Sequence, residues 1–206
     1  MDLKKFKKLI LVIACLPAFT LHVSAQNSQN DSQQLKKFKE HLASIDASFV
    51  LPEGFTEVKP ENSDKTAYEY ALTMPNDDFE IRFQVNDLKR EWKKFQRGKS
   101  GANTINPDSL YSKIAMDQVN SLSDQGPSFN RPFPARIMQF YNVDIGHSYF
   151  FSLANNDLTK HYQYALLVVI QKNHYGTISV VCLSNEKGPE FFKKINKLRN
   201  CLKFNG

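Results

Sequence analysis

Residues that could do chemistry are few and scattered along this chain of 206 residues. Four histidines lie beyond the first 25 residues: His41, His147, His161 and His174. None stands at metal-ligand spacing from another histidine, a cysteine or a carboxylate on one face of a single element. The runs 76–78 and 155–157 offer Asn and Asp oxygens to a cation, but turns use the same residues for local side-chain-to-backbone bonds. The sequence therefore predicts no metal and no cofactor.

Known catalytic motifs give no lead either. The chain has no Gly-x-Ser-x-Gly elbow, no glycine-rich phosphate loop, no Cys-x-x-Cys pair and no calcium loop of alternating acids. Catalytic groups can still converge from distant positions. A hydrolase or a small-ligand carrier therefore stays open as one hypothesis, and it requires a concave site between sheet and helices that holds polar groups with shifted pKa values.

A basic and aromatic segment, 89–99, is the first candidate for binding a partner. Its candidate contact residues are Trp92, Lys93, Lys94 and Arg97. Tryptophan and arginine are enriched where partner proteins dock. The alternatives are that Leu88, Trp92 and Phe95, at helical spacing, only pack on the chain's own sheet, or that the helix touches a membrane surface.

The second candidate surface is a proline-rich loop near the middle of the chain. Arg131 and Phe133 alternate there with Pro132 and Pro134, and Arg136 follows. The prolines make the loop rigid and its tip is apolar, which suits docking of another protein. An ordinary long connection is the alternative.

The first 25 residues have the pattern of an export signal. Lysines at 4, 5, 7 and 8 precede an apolar stretch that is too short to span a bilayer, and Ala25 precedes a plausible cleavage point. The alternative is a lipoprotein signal in which Cys15 carries a lipid anchor. Both place the mature chain outside the cytoplasm, in the periplasm or secreted. Residues 26–32 are polar and predict a flexible leader.

Charge and cysteine content narrow the possibilities further. Cleavage after residue 25 would remove four lysines and one aspartate, so the formal net charge falls from +6 to +3, which gives no support to nucleic-acid binding.

Cys182 and Cys201 are the cysteines that remain after cleavage, in a compartment where disulfides form. A helix of about twelve residues between them favours two buried free thiols over a bridge.

The elements are organised around two apolar runs near the C-terminus. Residues 162–170 and 177–183 are apolar on both faces at their centres, which predicts interior strands with a layer over each face. A helix over 189–200 would supply one layer. Residues 68–74 and 79–85 alternate strictly around a Pro75 turn, which predicts a more peripheral hairpin with one wetted face.

The other elements follow from periodicity and turn residues. We expect helices at 33–47, 87–96 and 106–122, an irregular loop at 124–134, and extended runs at 135–142 and 147–153.

This order resembles the PsbP/Mog1-like fold, an α+β (α/β/α) sandwich around a largely antiparallel sheet. The resemblance rests on the Leu51–Phe55 segment, with its Pro52 and Gly54, and on the hairpin and closing helix of 147–204. It implies one domain over 33–206 with a helical insertion near 87–104. The start of the chain, with its Ala25–Gln26 junction, also resembles Bacteroidetes envelope proteins.

Familiar members of this fold act as accessory or binding proteins, and the resemblance carries over no catalytic residue. It therefore implies a non-catalytic exported protein that binds another envelope protein.

Overall fold

A computed structural model describes residues 31–64, 66–98 and 105–206. The predicted export signal and residues 26–30 of the leader lie outside the described residues, as do residues 99–104 of the predicted insertion. Ser32, at the end of the leader, caps the first helix by accepting a hydrogen bond from the amide of Leu35 at 2.9 Å.

Nine strands and five α-helices are present in the described part of the chain. The strands are β1 (Ala47–Phe49), β2 (Thr56–Val58), β3 (Tyr70–Thr73), β4 (Phe79–Asp87), β5 (Phe129–Pro132), β6 (Ile145–Ser152), β7 (Tyr164–Lys172), β8 (Gly176–Ser184) and β9 (Leu202–Phe204). The helices are α1 (Gln33–Ser44), α2 (Lys89–Gln96), α3 (Leu110–Leu122), α4 (Ala135–Tyr141) and α5 (Pro189–Asn196). Short 3-10 turns occupy Pro107–Ser109 and Asp157–Thr159.

Seven strands form one sheet in the order β2-β3-β4-β8-β7-β6-β5, and every pairing is antiparallel. The remaining two, β1 and β9, pair as a small ribbon of their own. The predicted interior ribbon, β7, lies between β6 and β8. Its buried side chains enter a core on each side, which confirms the α+β class with an antiparallel sheet covered on both faces.

Each face of the sheet has its own covering layer. On the face that carries Phe83 and Val168, which we call the α5 face, α1, α4, α5 and the β1–β9 ribbon pack. Phe38 of α1 stacks on Tyr70 at 4.9 Å between ring centroids and tilts against Phe83 at 5.4 Å. On the face that carries Leu167 and Val181, which we call the α3 face, α3 packs.

Three expectations were wrong. Residues 129–132 form an edge strand inside the predicted loop; an edge tolerates Pro132, which lacks an amide hydrogen. Residues 135–141 are helical, not extended: packing of Ile137 and Tyr141, one helical turn apart, on the same side of the protein overrides the strand propensity of the aromatic and branched side chains. The hairpin is not half-wetted, since β4 buries Glu80 and Arg82 as well as its apolar residues.

Candidate functional site

The α5 face carries an open hollow of about 500 Å³ at the centre of the sheet. Its floor is formed by side chains of four neighbouring strands: Phe83, Ser148, Leu166, Val168, Ile170, Val180 and Cys182. Val168 and Val180 are register partners on β7 and on the central strand β8, yet both stay partly exposed. The covering layer is therefore incomplete over the middle of this face.

The walls come from two helices and the segment that follows the second. Arg136, Ile137 and Tyr141 come from α4. Ile195 and Asn196 come from α5, Leu198, Arg199 and Cys201 from the segment after it, and Leu202 from β9. The Arg199 guanidinium packs on Phe140 of α4, so the two arginines border the same part of the hollow. Apolar side chains dominate, as is usual for sites that bind small organic molecules.

Phe133 lines the hollow and lies directly against β6 because residue 146 is a glycine. A Cβ atom at Gly146 would lie 2.5 Å from Cδ2 of Phe133, closer than any real contact. The Phe133 amide also donates to the Gly146 carbonyl at 2.8 Å, which fixes the two backbones together. Glycine at this position lets the aromatic ring lie directly on β6.

The charge of the hollow is entirely positive. Arg136 and Arg199 are the charged residues of its lining, which includes no carboxylate. Within the described residues the exposed Arg136 guanidinium makes no hydrogen bond or ion pair, whereas that of Arg199 lies 4.8 Å from the Phe140 ring centroid. Two cations therefore border an apolar cavity without counter-charges.

Burial perturbs the titratable groups inside the hollow. It raises the pKa of the Tyr141 hydroxyl, helped by the Cys201 thiol and opposed by the Arg199 guanidinium. Burial also raises the pKa of the Cys201 thiol to about 12 and that of Cys182 higher still. Both cysteines are free. At neutral pH they stay protonated and behave as apolar surface, not as nucleophiles.

The predicted proline-rich surface contributes to this hollow. Phe133 lines it, and Arg131 is the register partner of Ser148, which pairs in turn with Val168. Paired residues of neighbouring antiparallel strands point to the same face, so Arg131 stands at the edge of the floor. Its guanidinium lies 5.5 Å from the ring centroid of Phe129.

The other predicted surface, on α2, is exposed at its cations and half-buried at Trp92 and Phe95. No residue of α2 is buried, and only Leu88, just before it, enters the protein. The Trp92 ring stacks on His174 at 4.0 Å between centroids and on Phe95 at 5.4 Å. Three predicted contact residues are exposed beside it: Lys93, Lys94 and Arg97. Leu88 is buried and Trp92 and Phe95 are half-buried, so this side of the helix packs in part on the protein, as the alternative predicts.

His174, on which the Trp92 ring stacks, is itself held in place by Asp108. The backbone amide of His174 donates to Oδ1 of Asp108 at 2.9 Å, and its Nε2 lies 3.4 Å from Oδ2 of the same carboxylate. Three strands, β8, β7 and β6, separate β4, which leads into α2, from β5, which carries Arg131. The structure therefore does not bring the two predicted surfaces together.

The remaining histidines lie apart from one another. His41 Nδ1 lies 2.6 Å from Oε2 of Glu69, and His161 Nδ1 lies 2.6 Å from Oδ1 of Asn155. The described ranges contain no group of three His, Cys, Asp or Glu side chains placed to hold a metal ion. In the same ranges, no helix combines the length and the hydropathy that a membrane span requires.

Sequence reasoning missed most of the hollow. Arg199 carried no signal, because an arginine near the end of a basic helix is normally a solvated residue. Arg136 was noticed only as a neighbour of the proline-rich loop. The one available signal was the spacing of Ile137 and Tyr141, which indicates a helix with one apolar side.

Comparisons with known proteins give a likeness of fold. No protein-family model matches the chain, and no curated protein gives a significant match. A solution structure of cyanobacterial PsbP (CyanoP) from Synechocystis sp. PCC 6803 matches 78% of this chain and 88% of its own, with 11% sequence identity and a TM-score of 0.42. The likeness to this PsbP protein is one of fold alone.

Proposed function

We propose that this protein is a non-catalytic binding protein whose ligand site is the hollow on the α5 face, and that the ligand is a small molecule with one apolar chain. The observation that carries the proposal is the partial exposure of Val168 and Val180. Apolar side chains at the centre of a sheet are normally covered, and an uncovered apolar patch in a cavity marks a site for a ligand.

Size and composition support an apolar chain as occupant. A volume of about 500 Å³ lies within the usual range of small-molecule sites, about 300–1,000 Å³. Removing a methylene group from water contributes about 0.8 kcal/mol. A chain that lies along the valine floor therefore gains affinity with each carbon until the hollow is full.

The lining also supports a role without catalysis. It offers two guanidinium groups, a tyrosine, a serine, an asparagine and two thiols whose pKa values are raised. None of these is a base or an activated nucleophile near neutral pH without a partner that draws off its proton. The lining thus suits holding a molecule.

Titration with straight-chain alcohols of increasing length tests this function, because they probe the apolar floor without a charge. We expect one molecule bound per chain by calorimetry, with affinity rising about fourfold per added methylene. Val180→Phe, which fills the hollow from its floor, should abolish binding; Ile137→Trp fills it from α4 if the first variant folds poorly. Trp92→Ala, on the distant surface, should leave affinity unchanged. Equal binding by the filled variants would refute the assignment.

A second candidate function is docking of an acidic protein surface on α2. The observation that favours it is that α2 has no buried residue and that its Trp92 ring stacks on His174, which Asp108 holds by a hydrogen bond. Within the described residues, four of its neighbouring cations have no hydrogen-bond or ion-pair partner: Arg90, Lys93, Lys94 and Arg97. Aromatic and arginine side chains at such a patch are typical of interface hot spots.

Crosslinking in envelope extract tests the second candidate. A partner captured by the unaltered chain should be lost with Trp92→Ala combined with Lys93→Glu and Lys94→Glu, and kept with Lys113→Glu on α3. Retention of the partner by the triple variant would exclude this patch as the docking site.

Export, predicted from residues 1–25, is part of the proposal, and the mass of the mature N-terminus would separate cleavage after Ala25 from a lipid on Cys15.

A further inference from the structure

We propose that the ligand of the hollow is a long-chain carboxylate, with its head held by Arg136 and Arg199 and its chain on Val168 and Val180. The inference rests on the proposed function, since it assigns the chemistry of the head group to a site already argued to take an apolar chain. An apolar cavity bordered by two cations is complementary to a molecule with one charged and one apolar end.

Neighbouring acids do not neutralise these arginines. On α5, Glu190 pairs with Lys193, whose Nζ lies 2.5 Å from its Oε1. After α4, Asp144 accepts the Asn173 amide at 2.8 Å and lies 3.9 Å from Nζ of Lys172. Glu190 and Asp144 are thus engaged with other groups, and within the described residues neither guanidinium pairs with an acid, so both are left to attract an anion.

The geometry of the donors favours a carboxylate. A guanidinium group presents a planar fork of N–H donors that matches the two oxygens of a carboxylate. Arg199 is held over the Phe140 ring, which reduces the freedom it must lose on binding. The Tyr141 hydroxyl stays protonated because burial raises its pKa, and it offers a further donor beside Arg199.

The volume of the hollow favours a single chain. A phospholipid with two acyl chains has more apolar volume than about 500 Å³ accommodates. A fatty acid has one chain and one planar anionic head, and so matches both the size and the charge of the site. An alkyl phosphate also has one chain, and it serves as a competing arm of the test.

The experiment compares how the mature chain binds three ligands of equal chain length at pH 8. Dodecanoate and dodecyl phosphate are used below their critical micelle concentrations, and dodecanol is used below its solubility limit. We expect dodecanoate to bind at least about tenfold tighter than dodecanol, because charge-assisted hydrogen bonds are added to the same apolar contact. Arg136→Gln and Arg199→Gln should each weaken dodecanoate about tenfold and weaken dodecanol much less, because an alcohol carries no charge for the guanidinium to pair with. Lys197→Gln, on the same turn but outside the lining, should change neither ligand.

Each result has one meaning. Equal affinity for dodecanoate and dodecanol would overturn the carboxylate inference and leave the proposed function standing. Binding of neither would overturn both. Tighter binding of dodecyl phosphate than of dodecanoate would assign the head group to a phosphate, and an equal loss with Lys197→Gln would show only a general attraction of anions. Both outcomes would contradict the inference.

Discussion

The two faces of the sheet differ in what they bury and in how completely they are covered. The α3 face buries charged and polar groups under a closed layer, whereas the α5 face is apolar and leaves an opening at its centre. Val181 and Val180 show the contrast on a single strand: Val181 is fully buried under the α3 layer, and its neighbour is partly exposed in the hollow. The polar groups stabilise the closed face, and the open apolar surface is the part of the molecule that we propose binds a ligand.

The closed face is held by a charged cluster. The Nε of Arg82 donates to Oε1 of Glu80 at 2.7 Å, and Nη1 of Arg82 donates to the Leu158 carbonyl at 2.6 Å. Nζ of Lys160 lies 2.8 Å from the other oxygen of Glu80. The cluster ties the loop before β7 to β4, and Gln118 of α3 donates to Gln84 nearby at 2.6 Å.

The largest effect we expect is from breaking this cluster. Glu80→Ala leaves the fully buried Arg82 without its counter-charge, which should cost about 3–5 kcal/mol in the free energy of unfolding. Urea denaturation measures it. The exposed pair of Lys113 and Asp117 is the control, and Asp117→Ala should cost less than about 1 kcal/mol. Similar costs for both variants would mean that burial of the cluster contributes nothing special.

The valine pair gives a smaller and more direct comparison of the faces. Val181→Ala should cost about 2 kcal/mol, because two methyl groups leave a closed core and a cavity remains. Val180→Ala should cost less than about 1 kcal/mol, because solvent already reaches this side chain. Paired urea denaturation curves measure the difference. Equal losses would show that the hollow is closed in solution.

Gly146→Ala should affect ligand binding more than stability. The added methyl group must displace Phe133 from β6, which changes the lining of the hollow. We expect about a tenfold loss of affinity for the apolar chain, corresponding to about 1.4 kcal/mol. Gly188→Ala is the matched control, since a Cβ there meets nothing within 4 Å. Unchanged affinity in the first variant would exclude Phe133 from the site.

The smallest effect at neutral pH comes from the two thiols. Burial raises the pKa values of both thiols in the folded chain, so the unfolded chain loses these protons at a lower pH than the folded chain does. The free energy of unfolding should therefore keep the full contribution of the two buried thiols below about pH 9. Stability should then fall as the pH rises from 9 towards 12, and the fall should be shallower in Cys201→Ala. Urea denaturation across that range measures it. A stability that rises above pH 9 would contradict the burial of both thiols.

Much of the architecture was predictable from periodicity. Residues 162–170 have apolar side chains on both sides, and β7 does lie inside the sheet. The strands at 70–73 and 79–87 were also predicted, but the burial of β4 was not. Glu80 and Arg82 alternate with apolar residues, and a strand with its polar side in water has the same pattern as one with a buried ion pair. The pattern cannot distinguish the two, because the buried pair depends on Lys160, which is eighty residues away in the sequence.

The hollow was less predictable because it exists where the covering layer leaves part of the sheet open. Its floor residues have the types of an ordinary core strand, and only the positions of α4 and α5 leave Val168 and Val180 open. Residues 135–141, rich in aromatic and branched side chains, suited a strand by propensity, and tertiary packing overrode that preference. Phe133 was identified from the rigidity of its loop, and its role as a wall depends on a glycine thirteen residues later.

The central claim is that the open part of the α5 face binds an apolar chain, and methyl NMR tests it most directly. On addition of dodecanol, the account predicts large shift changes for the methyl groups of Val168 and Val180 and small ones for Val181 and Leu167, which lie on the α3 face. Changes spread evenly over both faces, or confined to residues around Trp92, would contradict it.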